Sequence, residues 1–186
     1  MPSPALLDCR TSLVGHFHVI TSVAAGRRPL FAAPECAGVP MDQFKASDAR
    51  GASRSFAGVI MPDHFHWVMQ LREGALGPCV QSLKSRSAIA INAALGRRAP
   101  VWQRGYYEHW IRDEHDIRQQ VLYVMGNPVR AGLASRLGDY PYGWCRWPLM
   151  QESQSSKLDA TNGGPGFNIR MRMVRLESSP PRPARP

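Results

Sequence analysis

Two histidines one residue apart, His64 and His66 in "MPDHFHWVMQL", are of a type and spacing that can chelate one divalent ion from one side. Side chains alternate faces along a strand, so the two imidazoles would project together while Phe65, Trp67 and Met69 project the other way, toward a core. Further on, Tyr123 and Asn127 in "YVMGNP" stand about one helical turn apart, which sets a phenol beside an amide. Each pair also has an ordinary explanation. A histidine pair on a strand is commonly just solvated or hydrogen-bonded, and the second pair reads equally as a core-edge tyrosine and a helix C-cap before Pro128. The triplet "HFH" occurs a second time at residues 16–18, and at most one copy need be functional.

The elements that must position these residues follow from local pattern. Residues 16–24 alternate and predict a first strand. Residues 32–55 are broken by Pro34, Gly38, Pro40 and Gly51, which leaves one short helix around 41–50. The apolar runs 55–61 and 64–71, joined by Pro62-Asp63, predict a β-hairpin. Approximate helical spacing of Val80, Leu83, Ala88, Ile91 and Leu95 predicts a helix over 78–95. Residues 101–111 are aromatic and read as extended. Acidic residues at the start and a proline at the end mark a helix over 113–127, with Ile117, Val121, Val124 and Met125 on its buried stripe and Asp116, Gln120, Tyr123 and Asn127 on another. After about residue 150 the chain turns polar, glycine-rich and then proline- and arginine-rich. Residues 1–150 are thus expected to form one domain and 151–186 a flexible basic tail.

Charge narrows the partner. The chain has 23 Lys and Arg against 14 Asp and Glu, a net charge of +9 over 186 residues, and lysine occurs only at positions 45, 84 and 157. Arginine's planar fork suits phosphate oxygens and stacks on bases, so a polyanion is the expected partner, nucleic acid first. Cys9, Cys36, Cys79 and Cys145 form no C-x-x-C pair, which disfavours a structural zinc or disulfide framework. No apolar run approaches the roughly 20 residues that span a bilayer, and the first fifteen residues lack a signal-peptide pattern. The expected address is the cytoplasm, with no membrane partner.

Taken together, "VIMPDHFHWVM", "LKS", "VWQRGYYEHWIRDEHD" and "YVMGNPVRAGL", in this order over roughly residues 14–147, resemble the REP-associated tyrosine transposases of the single-tyrosine HUH (IS200-like) superfamily, which are often single-copy bacterial proteins. The resemblance implies an α+β fold, a ferredoxin-like antiparallel sheet with helices packed on one face. It implies His64, His66 and Asn127 as ligands of Mg²⁺ or Mn²⁺ and Tyr123 as nucleophile, with Tyr106 and Tyr107 outside that role. The implied activity is a metal-dependent single-stranded DNA endonuclease and strand transferase that forms a 5′-phosphotyrosyl intermediate, on hairpins of repetitive extragenic palindromes and close to the nucleoid. Lys84, Arg86, Arg104, Arg112 and Arg130 are candidate phosphate contacts, and Trp102 and Tyr106 candidate base-stacking platforms. The alternative is a catalytically idle hairpin-binding derivative. Monomer and homodimer are equally compatible with the pattern. The first triplet matches no ligand motif, so His16 and His18 are expected to be structural.

Overall fold

Alternating β-branched and aromatic residues build the centre of the molecule. β1 (Phe17–Val23), β2 (Ser53–Met61) and β3 (His64–Leu71) are almost wholly buried, and Pro62-Asp63 alone connect β2 to β3, as the hairpin pattern predicts. The computed structural model describes residues 13–112, 114–149 and 172–174. In chain order β1 leads to α1 (Pro34–Ala49), the β2–β3 hairpin, α2 (Leu76–Ala94), β4 (Tyr106–Ile111), α3 (Glu114–Met125) and a short α4 (Asn127–Arg130). β2-β3-β1-β4 is the order of the four central strands, all antiparallel, which with the βαββαβ succession is the ferredoxin-like arrangement. β5 (Gly143–Cys145) extends the β2 edge and β6 (Arg172–Val174) the β4 edge. Both edge strands escaped the sequence pattern because three residues are too few to show alternation. The expected tail lies outside the described residues except for β6.

The sheet has a core on each face. On one face α1 and α2 lie against Ile20, Ile60, Phe65, Trp67, Met69 and Leu71. Phe44 of α1 stacks on Trp67 with ring centroids 4.9 Å apart and planes within 6°. Gly58 makes room for this pair, since a Cβ there would stand 2.7 Å from the Phe44 ring. On the other face α3 buries Ile117, Val121, Val124 and Met125 against Val19, Ala57, Val59, Met61 and Val68. The expectation of helices on one face therefore holds for α1 and α2, while α3 covers the opposite face.

A second difference concerns residues 32–55. Instead of a short helix, α1 runs for 16 residues straight through Pro40. Pro34 sits at its first turn, where no N–H is missed. Pro40 costs about 3 kcal/mol in an isolated helix, but Cys36, Ala37, Pro40, Phe44 and Ser47 are all buried. Packing along that stripe outweighs the local penalty.

Candidate functional site

β3 presents His64 and His66 on the α3 face. The register shows this directly: His66 is flanked by Val59 of β2 and Thr21 of β1, and His64 by Met61 and Val23, while Phe65, Trp67 and Met69 join the core beneath α1 and α2. The two rings stand nearly perpendicular, with centroids 4.8 Å apart, and their Nε2 atoms are separated by 3.1 Å. Each opposite nitrogen is held. His64 Nδ1 lies 2.5 Å from Asp63 Oδ1, and His66 Nδ1 lies 2.7 Å from Thr21 Oγ1. Arg27 in turn donates to Asp63 Oδ2 at 3.2 Å, from a left-handed backbone position at φ 51° that follows Gly26.

The Asp63 carboxylate can only accept, so His64 Nδ1 carries the proton toward it. The Thr21 hydroxyl can accept from or donate to His66 Nδ1, and when it accepts, Nε2 of that ring has the lone pair a metal ligand needs. Burial, with the nearby His64 and Arg130 charges, pushes His66 down to about 3, so this imidazole is neutral at neutral pH. Burial alone would raise the Asp63 carboxyl, but the His64 hydrogen bond and charge, with Arg27 behind them, hold it below the usual range. Metal–imidazole bonds of about 2.1 Å subtending roughly 90–110° place two nitrogens ~3.0–3.4 Å apart. The pair fits a shared divalent ion. Among the described residues no three His, Cys, Asp or Glu side chains cluster as a metal site, so a further side-chain ligand within them would be of another type, as the amide of Asn127 is.

α3 brings the phenol and the amide. Met125 reaches the β5 side, where its Cε would lie 3.2 Å from a Cβ on Gly143, and Arg118 lies over Trp147 at 5.7 Å. At 3.6 residues per turn the opposite flank carries Gln120, Tyr123 and, across the α3–α4 junction, Asn127. By helical phase that flank is turned away from β5, and Arg130, which is hydrogen-bonded to Asn127, lies near enough for its charge to act on His66. Gln120 is buried, and its Oε1 has no hydrogen-bond partner among the described residues. Tyr123 is 37% exposed, open enough to meet a macromolecular substrate.

Past Met125 the helix kinks. Pro128 has no N–H to offer the carbonyl of Val124, and Asn127 Nδ2 takes that carbonyl instead, at 3.1 Å. The amide so oriented presents Oδ1 to Arg130, whose Nη2 donates to it at 2.8 Å. Asn127 is thus a cap through its nitrogen and has an acceptor oxygen of defined direction.

Other expected site residues fare differently. Lys84 is buried and donates to the carbonyls of Gln103, at 2.8 Å, and of Gly105. It ties α2 to the loop before β4. Trp102 stacks on Phe31 at 5.0 Å and donates from Nε1 to Ser87 Oγ at 3.0 Å, so its faces are used in the core. Tyr106 is also core, and burial raises its phenol. All three, expected as DNA contacts, are engaged in packing and hydrogen bonds within the protein. Their polar or aromatic character drew attention, but strand phase and helix face turn them inward. Arg86, Arg104 and Arg112 are exposed, Arg112 over the Trp110 ring at 5.5 Å. Arg130 is exposed and stacked on Tyr123. Thr21, Arg27 and the orienting role of Asp63 were missed. Asp63 is adjacent to His64 in the turn and was within reach of sequence reasoning, whereas Thr21 emerges only from the β1–β3 register.

The first triplet lies elsewhere. His18 pairs in register with Met69 and so faces α1 and α2, buried with Nδ1 2.8 Å from Glu108 Oε1, and His16 stacks on Trp110 at 5.2 Å.

No family model matches the chain. Among curated proteins, an Escherichia coli K12 REP-associated tyrosine transposase is 31% identical over 88 residues, covering 46% of this chain and 50% of the relative. A Haemophilus influenzae protein provisionally assigned to the same family is 32% identical over 94 residues, covering 45% of this chain and 53% of the relative. A solved structure of a REP-associated tyrosine transposase bound to a REP hairpin superposes with a TM-score of 0.60 at 24% identity, covering 72% of this chain and 79% of that one. The chain resembles the REP-associated tyrosine transposases. It shares their α+β fold, and it spans about half the length of the curated relatives it matches. The likeness to these transposases includes curated relatives at the level of sequence and a solved structure at the level of fold. Among the described residues no helix is long and apolar enough to cross a membrane.

Proposed function

We propose that this chain is a metal-dependent, tyrosine-nucleophile endonuclease and strand transferase for single-stranded DNA, acting at hairpins of repetitive extragenic palindromes. The observation that carries the reading is the convergence of two imidazole Nε2 atoms 3.1 Å apart, with both Nδ1 atoms already held by Thr21 and Asp63. His64, His66 and the Asn127 carbonyl would hold Mg²⁺ or Mn²⁺, which when bound supplies charge neutralisation to the phosphate oxygens. Imidazole nitrogen suits Mn²⁺ better than Mg²⁺.

The remaining chemistry belongs to the chain. Tyr123 Oη attacks the phosphorus, the phenolic proton passes to solvent, and the bond from phosphorus to the 3′ oxygen breaks. That oxygen leaves as a free 3′-hydroxyl, and the 5′ phosphate stays esterified to Tyr123. Because one phosphodiester replaces another, a second 3′-hydroxyl can reverse the step and join strands without a nucleotide cofactor. The exposed guanidinium groups of Arg86, Arg104 and Arg112 supply non-specific attraction for the strand. The relative solved with a REP hairpin makes hairpin DNA the first substrate to try.

The test is direct. Labelled hairpin DNA with single-stranded flanks is incubated with protein and Mn²⁺ or Mg²⁺, and a covalent adduct is sought on a denaturing gel. Adduct is expected with the wild type and absent with Tyr123→Phe. Adduct that survives Tyr123→Phe sinks the nucleophile assignment, and tight binding without adduct identifies an idle hairpin-binding protein.

A further inference from the structure

Sequence position marks Arg130 as one more cation for the DNA backbone, but its guanidinium is already engaged at the α3–α4 junction. Its Nη2 donates to the Tyr123 carbonyl at 2.5 Å and to Asn127 Oδ1 at 2.8 Å. Its Cζ lies 4.3 Å from the centre of the Tyr123 ring, within range of a cation–π contact. The seat is completed by an absence: a Cβ on Gly126 would stand 2.7 Å from Nη1. Gly126 has ordinary helical angles, φ −77° and ψ −10°, so its backbone does not require glycine. The space over it is taken by the guanidinium, and a Cβ would also stand 3.2 Å from the Leu122 carbonyl.

We propose that Arg130 is a positioning residue, seated on Gly126, that fixes the Tyr123 ring and the Asn127 amide in register with each other, and that it is not a phosphate contact. This rests on the reading of Tyr123 as nucleophile and Asn127 as ligand. A guanidinium can lie flat on the ring while the two hydrogens of Nη2 go to two different oxygens, whereas an ammonium that bonds the same oxygens has no plane to lay on the ring. Arg130 occupies one of the two lone pairs of Asn127 Oδ1 and leaves the other for a ligand role.

The experiment compares Arg130→Gln, Arg130→Lys, Gly126→Ala and the double variant Gly126→Ala/Arg130→Gln in the full chain. Three quantities are measured: amide hydrogen exchange of the 121–131 segment, hairpin affinity as a function of salt, and single-turnover adduct formation at saturating hairpin with Mn²⁺. Arg130→Gln and Gly126→Ala are each expected to speed exchange several-fold and to slow adduct formation by about 10–100-fold, the usual cost of losing a group that orients a ligand. Hairpin affinity and its salt slope stay unchanged, and Arg130→Lys recovers little of the rate. In the double variant the two losses are well short of additive, because without the guanidinium only the 3.2 Å approach of the new Cβ to the Leu122 carbonyl remains. A fall in hairpin affinity with a salt slope smaller by about 0.7–0.9 and unaltered exchange would overturn the proposal. Additive effects of the two substitutions would overturn it as well. If the wild type forms no adduct, the nuclease reading fails by itself, and exchange and salt slope still decide the role of Arg130.

Discussion

The same three letters, HFH, fall at the start of two adjacent strands, and the histidines that lie within those strands end on opposite faces of one sheet. In β1, His18 is opposite Met69 and lies over the core made with α1 and α2. In β3, His66 is opposite Thr21 and lies under α3. A motif on a strand is therefore defined by phase as much as by composition, since a shift of one residue in register exchanges the faces. What separates the copies further is what their second nitrogens find. His64 and His66 have Asp63 and Thr21 behind them and aim their Nε2 atoms at each other. His18 has Glu108 close by, but neither of its nitrogens has a well-aligned partner among the described residues.

The sharpest way to break this comparison is to remove one copy at a time. His64→Ala or His66→Ala should take Mn²⁺-dependent adduct below detection, while His16→Ala leaves the rate per folded molecule within about twofold, as expected for a surface change away from the site. Equal losses from both copies would mean that the face assignment does not govern activity. Next in size, Thr21→Val removes the group that orients His66 while keeping volume. Calorimetric titration of Mn²⁺ should show affinity weaker by about 10–100-fold, whereas Ser22→Ala, one residue along β1 on the other face, leaves it unaltered.

Stability offers two further comparisons. Gly58→Ala intrudes on the Phe44–Trp67 stack of the α1/α2 core and should cost about 1–3 kcal/mol in urea unfolding. Acid should act through the other face. His66 is held near 3 against an ordinary 6.5, so across that window the unfolded chain binds a proton that the folded chain refuses. The stability this contributes is complete above the ordinary value and is lost as pH falls toward the folded one. In metal-free protein the urea midpoint should drop between pH 7 and pH 4.5, and His66→Asn should flatten that drop. The smallest effects belong to the exposed cations: Arg86→Gln, Arg104→Gln and Arg112→Gln should each reduce the salt slope of hairpin binding by no more than about 0.7–0.9.

Much of this arrangement could be read from residue order. The β2–β3 hairpin was legible because its alternation is uninterrupted and its turn has two residues, and the buried stripe of α3 because four apolar residues repeat at helical spacing. α1 was not, since Pro40 is a strong local signal and the burial that overrides it depends on the sheet beneath. The internal engagement of Lys84, Trp102 and Tyr106 was not legible for a related reason. Their chemistry suits DNA, but only tertiary packing shows that Gln103, Ser87 and the α2 core already use it. Arg130 was singled out by position as a phosphate contact, while its engagement with Asn127 and Tyr123 depends on the turn at Gly126–Pro128.

The two-residue turn at Pro62-Asp63 also bears on the order in which the molecule assembles. Among the described residues the β2–β3 pairing is the most local sheet contact, and hairpins of this kind close in about 1–10 μs. The contact between Thr21 and His66 spans 45 residues, and α3 arrives later still in the sequence, so both must wait for longer loops to close. His64 and His66 should therefore be side by side early in folding, before the helix that carries Tyr123 has docked. Refolding started by dilution from urea in Mn²⁺, with cation uptake followed beside the docking of α3, would show which comes first. If the ion is captured only after α3 has packed, the hairpin does not form the binding half of the site on its own.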